Sequence, residues 1–274
     1  DHHLRPGSAK DGAYVRRLAD RLGLPFHLEE AIDRPRKGMS VEAWATAARW
    51  TAANDVRRRI EAATMAEGHI LDDQAETVLL NLIRGTGLDG LVGIDPGDRG
   101  ALVVQPLFDV ERTEVETFCR ALRLRPRRDP MNDDRRLLRN AIRLDVIPRI
   151  EQVTGRGIKA PIVRTATNLR ADRRELFEAT FRAYDEVVEG RPGVEARFDA
   201  KALRALSPPM AMRVIRLGAY DMVAADETPW DKRAMDAVLD LARGRPGRRR
   251  DLPLGYTARR DRTHVVVTRA ERED

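Results

Sequence analysis

Apolar residues in the first half of the chain recur at two spacings, one typical of helices and one typical of buried strands. Between positions 11 and 22, Tyr14, Leu18 and Leu22 fall on one helical face, and Gly23 ends the segment. Segments of this kind alternate with short apolar runs, which is the pattern of an α/β domain with a parallel, Rossmann-like sheet. The predicted helices cover 11–22, 40–59, 72–84 and 109–122, and the predicted strands cover 24–28, 62–66 and 101–104.

Helical spacing predominates from residue 135 onward, and strand-like runs return only near the end. Two such runs, 255–259 and 263–268, are separated by a short turn and predict a β hairpin. The change of pattern near Gly155 predicts a boundary between a parallel-sheet domain at 1–155 and a smaller, mainly helical domain at 156–274. The helices predicted in this half cover 135–151, 162–188, 209–223 and 232–241.

Composition restricts the function classes. The 274 residues are enough for two domains, and a net charge of +6 suits a polyanionic partner such as a nucleic acid. The only cysteine, Cys119, excludes an internal disulfide, a CxxC redox pair and a cysteine-rich zinc site. No apolar run approaches the roughly 18 residues of a membrane span. These features predict a cytoplasmic protein that has no membrane partner.

The stretch with the most chemistry is Gly-His-Ile-Leu-Asp-Asp-Gln-Ala-Glu-Thr at 68–77, where a predicted strand ends and a helix begins. Open α/β sheets bind ligands at such places. Asp72, Asp73 and Glu76 share one helical face, so they can together hold an ammonium group or a magnesium ion. Alternatively, Asp73 is the helix N-cap and Glu76 its capping-box partner. The spacing alone leaves both interpretations open.

The stretch continues into Val-Leu-Leu-Asn-Leu-Ile-Arg-Gly-Thr-Gly-Leu-Asp-Gly-Leu at 78–91. Together, 68–91 resemble the signature of the tRNA(Ile)-lysidine synthetases, which is a GHxxDDQAET helix followed by RGTG and a leucine–glycine stretch. This family is part of the PP-loop ATP pyrophosphatases, whose fold is adenine nucleotide alpha hydrolase-like. Further similar segments are 1–8, 21–26, 105–107, 129–132, 139–143, 251–256 and 260–261.

The resemblance implies an ATP-dependent enzyme that works with Mg²⁺. It adenylates the C2 oxygen of the wobble cytidine in the isoleucine tRNA with a CAU anticodon, and the ε-amine of free L-lysine then displaces AMP. The family pattern assigns the lysine site to Asp73 and Glu76, with Asp72 beside them, as the catalytic residues. The magnesium ligands and the choice between monomer and homodimer stay open.

The remaining site residues follow from the same resemblance. Gly68, His69 and Arg49 are expected at the ATP, although a helix arginine is more often simply solvated. In this chain Gln105 replaces an arginine of the family, and Thr46 replaces another. The residues expected to contact tRNA are Arg139, Asn140 and Arg143, together with Arg248, Arg249 and Arg250 in an arginine-rich run that extends through Arg259, Arg260 and Arg262.

One family element is missing from these 274 residues, the SGGxDS phosphate loop that precedes the second strand. We therefore expect an N-terminally incomplete catalytic domain that does not adenylate tRNA alone. Two other functions stay open, a tRNA 2-thiolating PP-loop enzyme and a non-catalytic tRNA-binding fragment. Thiolation normally uses paired cysteines, and one cysteine argues against it. Asp1, His2 and His3 form the DHH motif of manganese phosphoesterases, but no downstream acids complete that metal site.

Overall fold

The computed structural model describes residues 1–4, 7–31, 33–35, 41–97, 102–127, 129–191, 193–223 and 230–269. The chain forms two compact units, Asp1–Arg170 and Ala171–Asp274. The units divide inside a long helix, α8, whereas the boundary predicted near Gly155 falls at the turn before it. Position 40, where the second predicted helix starts, and position 101, where the third predicted strand starts, lie outside the described residues.

The first unit combines a short parallel sheet with several helices. Strands β1 (Met65–Ala66) and β2 (Val103–Val104) pair in parallel, as predicted, but each has only two residues. The predicted strand 24–28 is irregular, because no described strand pairs with it and its leucines are exposed. The helices are α1 (Ala9–Leu22), α2 (Val41–Arg59), α3 (Leu71–Ile83), α4 (Leu88–Leu91), α5 (Arg112–Ala121), α6 (Leu138–Ala141), α7 (Ile147–Thr154) and α8 (Lys159–Val187).

Six of the thirteen residues of helix α3 are buried. Its apolar residues Ala75, Val78 and Leu80 are buried, and Leu80 packs against Ile142 and Ile147. Three of its polar residues, Asp72, Gln74 and Glu76, are buried as well, and buried polar groups require hydrogen-bond partners. Other segments of the first unit therefore pack against the helix that begins within residues 68–77.

Two helices of the first unit differ from their predictions. The helix predicted at 135–151 is divided by a wide turn at 142–146, just before Pro148, whose missing N–H cannot continue a regular helix. Helix α5 forms, and its spacing places Val115, Phe118, Cys119 and Leu122 on one face, which predicts that they point inward. Phe118 and Leu122 are nevertheless 62% and 56% exposed. A sheet of two-residue strands offers α5 little apolar surface to pack against.

The second unit is an antiparallel sheet packed with helices. Its strand order is β3-β4-β7-β6-β5. The predicted hairpin is confirmed as β6 and β7, and it is part of a five-stranded sheet whose other three strands were not predicted. The elements are β3 (Val188–Arg191), β4 (Glu195–Asp199), α9 (Ala200–Ala205), α10 (Pro208–Met222), α11 (Lys232–Arg243), β5 (Arg249–Leu252), β6 (Tyr256–Arg260) and β7 (His264–Arg269).

The core of the second unit lies between its helices and one face of the sheet. Phe198 of β4 and Val214 of α10 are completely buried there. Trp230 packs edge-on against Tyr256, with ring centroids 5.7 Å apart, and the Tyr256 hydroxyl donates a hydrogen bond to the Met222 carbonyl. In the described parts of both units, no helix combines the length and the apolar character that a bilayer crossing needs.

Candidate active site

The N-terminus of α3 carries the three carboxylates singled out in the sequence. Ile70 occupies the N-cap position, and its backbone N–H donates to Oδ2 of Asp73 at 3.0 Å. Asp73 is thus the third residue of the helix reaching back to the cap, and it is not the cap itself. Glu76 does not reach back. The capping interpretation of this pair is therefore wrong in its detail, and Glu76 has a different partner.

Glu76 is a buried carboxylate with one oxygen bound and one free. Its side chain is 1% exposed, and Oε2 accepts a hydrogen bond from Nε of Arg139 at 3.0 Å. Among the described residues, Oε1 has no hydrogen-bond partner. Nη2 of Arg139 also lies 3.4 Å from Oδ1 of Asp73. The structure therefore brings Asp73, Glu76 and Arg139 together.

The environment of Glu76 changes its acidity. Burial raises the pKa of Glu76 above its ordinary value of 4.5, and the negative charge of Asp73 acts in the same direction. The hydrogen bond and charge of Arg139 and the charge of Arg143 lower the pKa, but not enough to offset burial. Glu76 consequently binds a proton more readily than an exposed glutamate does.

Asp72 lies apart from this group, although the spacing predicts a shared face. Its Oδ2 accepts from the backbone N–H of Arg112 at 2.9 Å, and its Oδ1 accepts from Nζ of Lys159 at 2.5 Å. Burial raises the pKa of Asp72, but Lys159 and the Arg112 N–H lower it more, so it lies below the ordinary 3.8. Both oxygens are engaged, and the residue connects α3 to the starts of α5 and α8.

Asn140 and Arg143, expected at the tRNA, bind the protein's own backbone. The buried Asn140 donates from Nδ2 to the carbonyls of Met131 at 2.8 Å and Asp134 at 2.9 Å. Arg143 donates to Oδ1 of Asn140 at 3.0 Å and to the carbonyl of Asn132. These bonds hold a 3-10 turn at 130–133 beside the helix that carries Arg139.

A second polar group lies just after the carboxyl ends of β1 and β2. Gln105 donates from Nε2 to Oε2 of Glu67 at 2.9 Å, and its Oε1 lies 3.1 Å from Nδ1 of His69. Because Oε1 of Gln105 is an acceptor, Nδ1 of His69 donates to it, and in the tautomer that does so Nε2 is an acceptor. A Cβ at Gly68 would meet no atom of the described residues within 4 Å, so open space adjoins this group.

The sequence reasoning missed the roles of Glu67, Gln74 and Asn81. Gln74 is completely buried; it donates to the Val92 carbonyl at 2.8 Å and accepts from the Ile94 N–H at 2.7 Å. Asn81 donates to a backbone carbonyl of α4 at 2.7 Å. These bonds from Gln74 and Asn81 therefore hold residues 90–94 against α3. The position of Glu67 directly after a strand was the available signal for its role.

The remaining predicted contacts are exposed, except Arg260. Arg49 is exposed on α2. In the second unit, Arg248, Arg249 and Arg250 are exposed at or beside β5, an edge strand, and Arg249 pairs with Asp251 at 3.2 Å. Arg260 was grouped with this run, but it is buried and donates to the carbonyls of its own turn, which removes it from any surface cluster.

The N-terminal DHH motif has structural contacts. His2 hydrogen-bonds through Nε2 to the Ala45 carbonyl at 2.9 Å and packs edge-on against Trp44. The backbone nitrogen of Asp1 donates to the Glu29 carbonyl at 2.6 Å. Within the described ranges, no group of three or more histidine, cysteine, aspartate or glutamate side chains is arranged to hold a metal ion.

Comparisons with known proteins agree with this fold. The PP-loop domain family matches residues 1–150. In solved structures, the chain is similar to the U34-tRNA thiolase NcsA from Methanococcus maripaludis with its 4Fe-4S cluster, with a TM-score of 0.51 and 19% identity over 62% of this chain and 60% of that one. An identity this low shows the fold alone.

Curated relatives identify the family within the PP-loop proteins. A tRNA(Ile)-lysidine synthase of Salinispora arenicola is 34% identical, over 89% of this chain and 72% of the relative. Those of Clostridioides difficile and Leifsonia xyli are 31% and 37% identical, over 99% and 79% of this chain. The chain spans 59% and 64% of the length of these two relatives. These matches show that the chain belongs to the tRNA(Ile)-lysidine synthase family of PP-loop proteins.

Proposed function

We propose that this chain is part of an enzyme that ligates lysine to C2 of the wobble cytidine of isoleucine tRNA, with ATP as the energy source and lysidine, AMP and pyrophosphate as products. The main structural support is the buried Glu76 carboxylate, in which Arg139 binds one oxygen and the other oxygen has no partner among the described residues. The chain's membership of the tRNA(Ile)-lysidine synthase family is the second support. The substrate is a CAU-anticodon tRNA, so we place the enzyme in the cytoplasm.

Glu76 and Asp73 are the proposed lysine site. The ε-ammonium of lysine must be bound and must lose a proton before the amine can attack. Oε1 of Glu76 is free to accept a hydrogen bond from the ammonium, and Asp73 adds a second negative charge beside it. A raised pKa brings Glu76 closer to the working pH, which suits a general base. Arg139 fixes the orientation of both carboxylates.

Asp72 has a different proposed role. Its two oxygens are already bound by Lys159 and the Arg112 N–H. An ammonium substrate would have to displace one of these partners. We therefore assign Asp72 to positioning the start of α3, and not to the catalytic role that the family resemblance implies.

The polar group after β1 and β2 is the proposed nucleotide site. When bound, ATP activates the C2 oxygen of the cytidine by adenylation, which makes AMP the leaving group. Gly68 leaves room for a ligand to approach the backbone, and Nε2 of His69 can accept a hydrogen bond from it. Arg49 is a proposed phosphate contact. Mg²⁺ is expected with ATP, but the described residues single out no ligand for it.

The tRNA contacts are proposed on charge and exposure. Arg248, Arg249 and Arg250 present three guanidinium groups at one edge of the second unit's sheet. Such groups bind phosphates and supply affinity without reading the bases. Asn140 and Arg143 shape the turn at 130–133, and we propose that this turn, with Arg139 next to it, forms the surface that the RNA meets.

The test is a lysine-transfer assay. Because residues 1–274 contain no SGGxDS segment, the assay uses a chimaera in which a relative's strand, SGGxDS loop, helix and strand precede Asp1. Glu76→Gln should lower transfer of labelled lysine to tRNA by at least ~10-fold, the effect of about 1.4 kcal/mol on a barrier. Glu116→Gln, the same change at an exposed position of α5, should leave transfer unchanged.

Three outcomes would argue against the proposal. Normal lysine kinetics with lowered stability in Glu76→Gln would give Glu76 a structural role only. Binding of tRNA without any lysine transfer by the chimaera would favour the non-catalytic alternative. Transfer of sulfur to the tRNA would favour a thiolase, although this chain has only Cys119 to offer for that chemistry.

A further inference from the structure

A cavity of about 330 Å³ opens between α1 and the residues that follow α5. It belongs entirely to the first unit, and none of its residues is part of the site around α3. Four of its lining residues are arginines, and in the described part of the chain none of the lining residues is acidic. Its volume is within the range of small-ligand pockets. The lining residues are Tyr14, Arg17, Leu18, Arg21, Arg123, Leu124 and Arg125; we call this cavity the arginine groove.

Among the described residues, no ion pair neutralises the positive charge in the arginine groove. Arg17 and Arg21 lie one turn apart on α1, where like charges disfavour the helix. No described carboxylate forms an ion pair with them, with Arg123 or with Arg125. Two arginines just outside the groove have partners within the protein: Arg127 forms an ion pair with Asp11, and Arg16 stacks on Phe26.

The backbone at Arg123 is a second, independent observation. Helices α1 and α5 end in the same hydrogen-bonded turn, in which Gly23 and Leu24 bond to Asp20 and Ala19, and Arg123 and Leu124 bond to Arg120 and Cys119. The residue at the left-handed position is Gly23 in α1, with φ 66°, and Arg123 in α5, with φ 53°. Glycine adopts this conformation without strain and arginine does not.

The chain therefore keeps a charged side chain in the groove at a position where glycine would be more stable. Strained residues of this kind cluster at functional sites.

We propose that the arginine groove binds phosphate groups of an RNA backbone. Guanidinium groups donate paired hydrogen bonds to phosphate oxygens, and four of them around one cavity can engage two adjacent phosphates. Tyr14 can donate a further hydrogen bond, and Leu18 and Leu124 offer apolar surface to the ribose. The proposal rests on the proposed function, which supplies the tRNA, and it adds a contact surface in the first unit.

The test is the salt dependence of tRNA binding by the 274-residue chain. Arg17→Gln with Arg21→Gln should reduce the slope of log affinity against log salt concentration by about two units, roughly one per lost contact. Arg123→Gly should reduce it by about one unit and raise the melting temperature, so weaker binding cannot be due to unfolding. The control Arg58→Gln with Arg120→Gln removes two exposed charges outside the groove and should keep the wild-type slope.

Each other outcome overturns the inference. If wild type binds tRNA and both groove variants keep its salt slope, the groove does not bind RNA phosphates. The proposed function is not affected by that result. If the variants lose only binding of inorganic tripolyphosphate, the ligand is a free polyphosphate and not RNA. If the wild-type chain binds no tRNA, the groove proposal and the tRNA contacts of the proposed function both fail.

Discussion

The sharpest stability prediction concerns the pair of Arg139 and Glu76. Arg139→Met keeps an unbranched side chain of similar length but removes the donor that Oε2 of Glu76 accepts from at 3.0 Å. Oε1 has no partner among the described residues, so the variant leaves a buried carboxylate without any side-chain donor at either oxygen. Its charge would then be neither paired nor well hydrated.

The expected cost can be worked out from the burial of the two partners. Removing one member of a fully buried ion pair costs about 3–5 kcal/mol. Glu76 is 1% exposed, but the Arg139 side chain is 34% exposed, so solvent already screens part of this interaction. We therefore expect a loss of about 2 kcal/mol. In a unit of this size that corresponds to roughly 4–8 °C in melting temperature.

The assay is thermal and urea unfolding of wild type, Arg139→Met, Glu76→Gln and the double variant. The double variant removes both charges and should be more stable than Arg139→Met alone, which gives the coupling energy of the pair. Arg136→Met is the matched control. Hydrogen bonds from Arg136 lower the pKa of Asp134 to about 2, yet both side chains face solvent and the control should melt like wild type.

Equal melting temperatures for Arg139→Met and Arg136→Met would refute this reasoning, because the buried pair would then contribute no more than an exposed one. A double variant less stable than Arg139→Met would also contradict it. In that case the packing of the two side chains, and not their charge, would determine the stability.

Two carboxylates of α3 should respond oppositely to acid. The pKa of Glu76 is raised in the folded protein, so wild type gains stability relative to Glu76→Gln as the pH falls toward 4.5. The pKa of Asp72 is lowered in the folded protein, so wild type loses stability relative to Asp72→Asn as the pH falls below 3.8. Urea unfolding at several pH values checks this, and pH slopes of the same sign would contradict it. Gly93→Ala should cost at least about 1 kcal/mol more than Gly85→Ala. Both positions have positive φ, but only at Gly93 does a Cβ overlap a side chain, that of Gln74 at 2.3 Å. Equal urea-unfolding losses for the two variants would mean that Gln74 moves aside.

Local pattern was sufficient to predict α3 but not the partners of its side chains. Helical spacing and the glycine after it located the helix to within a residue or two, because these signals are local. Arg139 lies 63 positions from Glu76, and Lys159 lies 87 positions from Asp72. Nothing in the spacing of the three carboxylates indicates which cation reaches which of them.

The five-stranded sheet shows the same limit. The β6–β7 hairpin was predicted because a turn separates two apolar runs. Strand β4 alternates Ala196 and Phe198 with polar residues, a signal that was present but short. Strand β5 has three charged residues before Leu252, and its strand conformation depends on pairing with β6. Such strands are stabilised by their neighbours and not by their own sequence.

The edge position of β5 gives its arginines a second consequence. An edge strand exposes unpaired N–H and C=O groups that can pair with the same strand of another molecule, and charged side chains along the edge oppose this by repulsion. Arg249 and Arg250 carry such charge on β5. Neutralising them would remove protection against self-association as well as affinity for phosphate. Protein lost to aggregates would then look like weakened RNA binding.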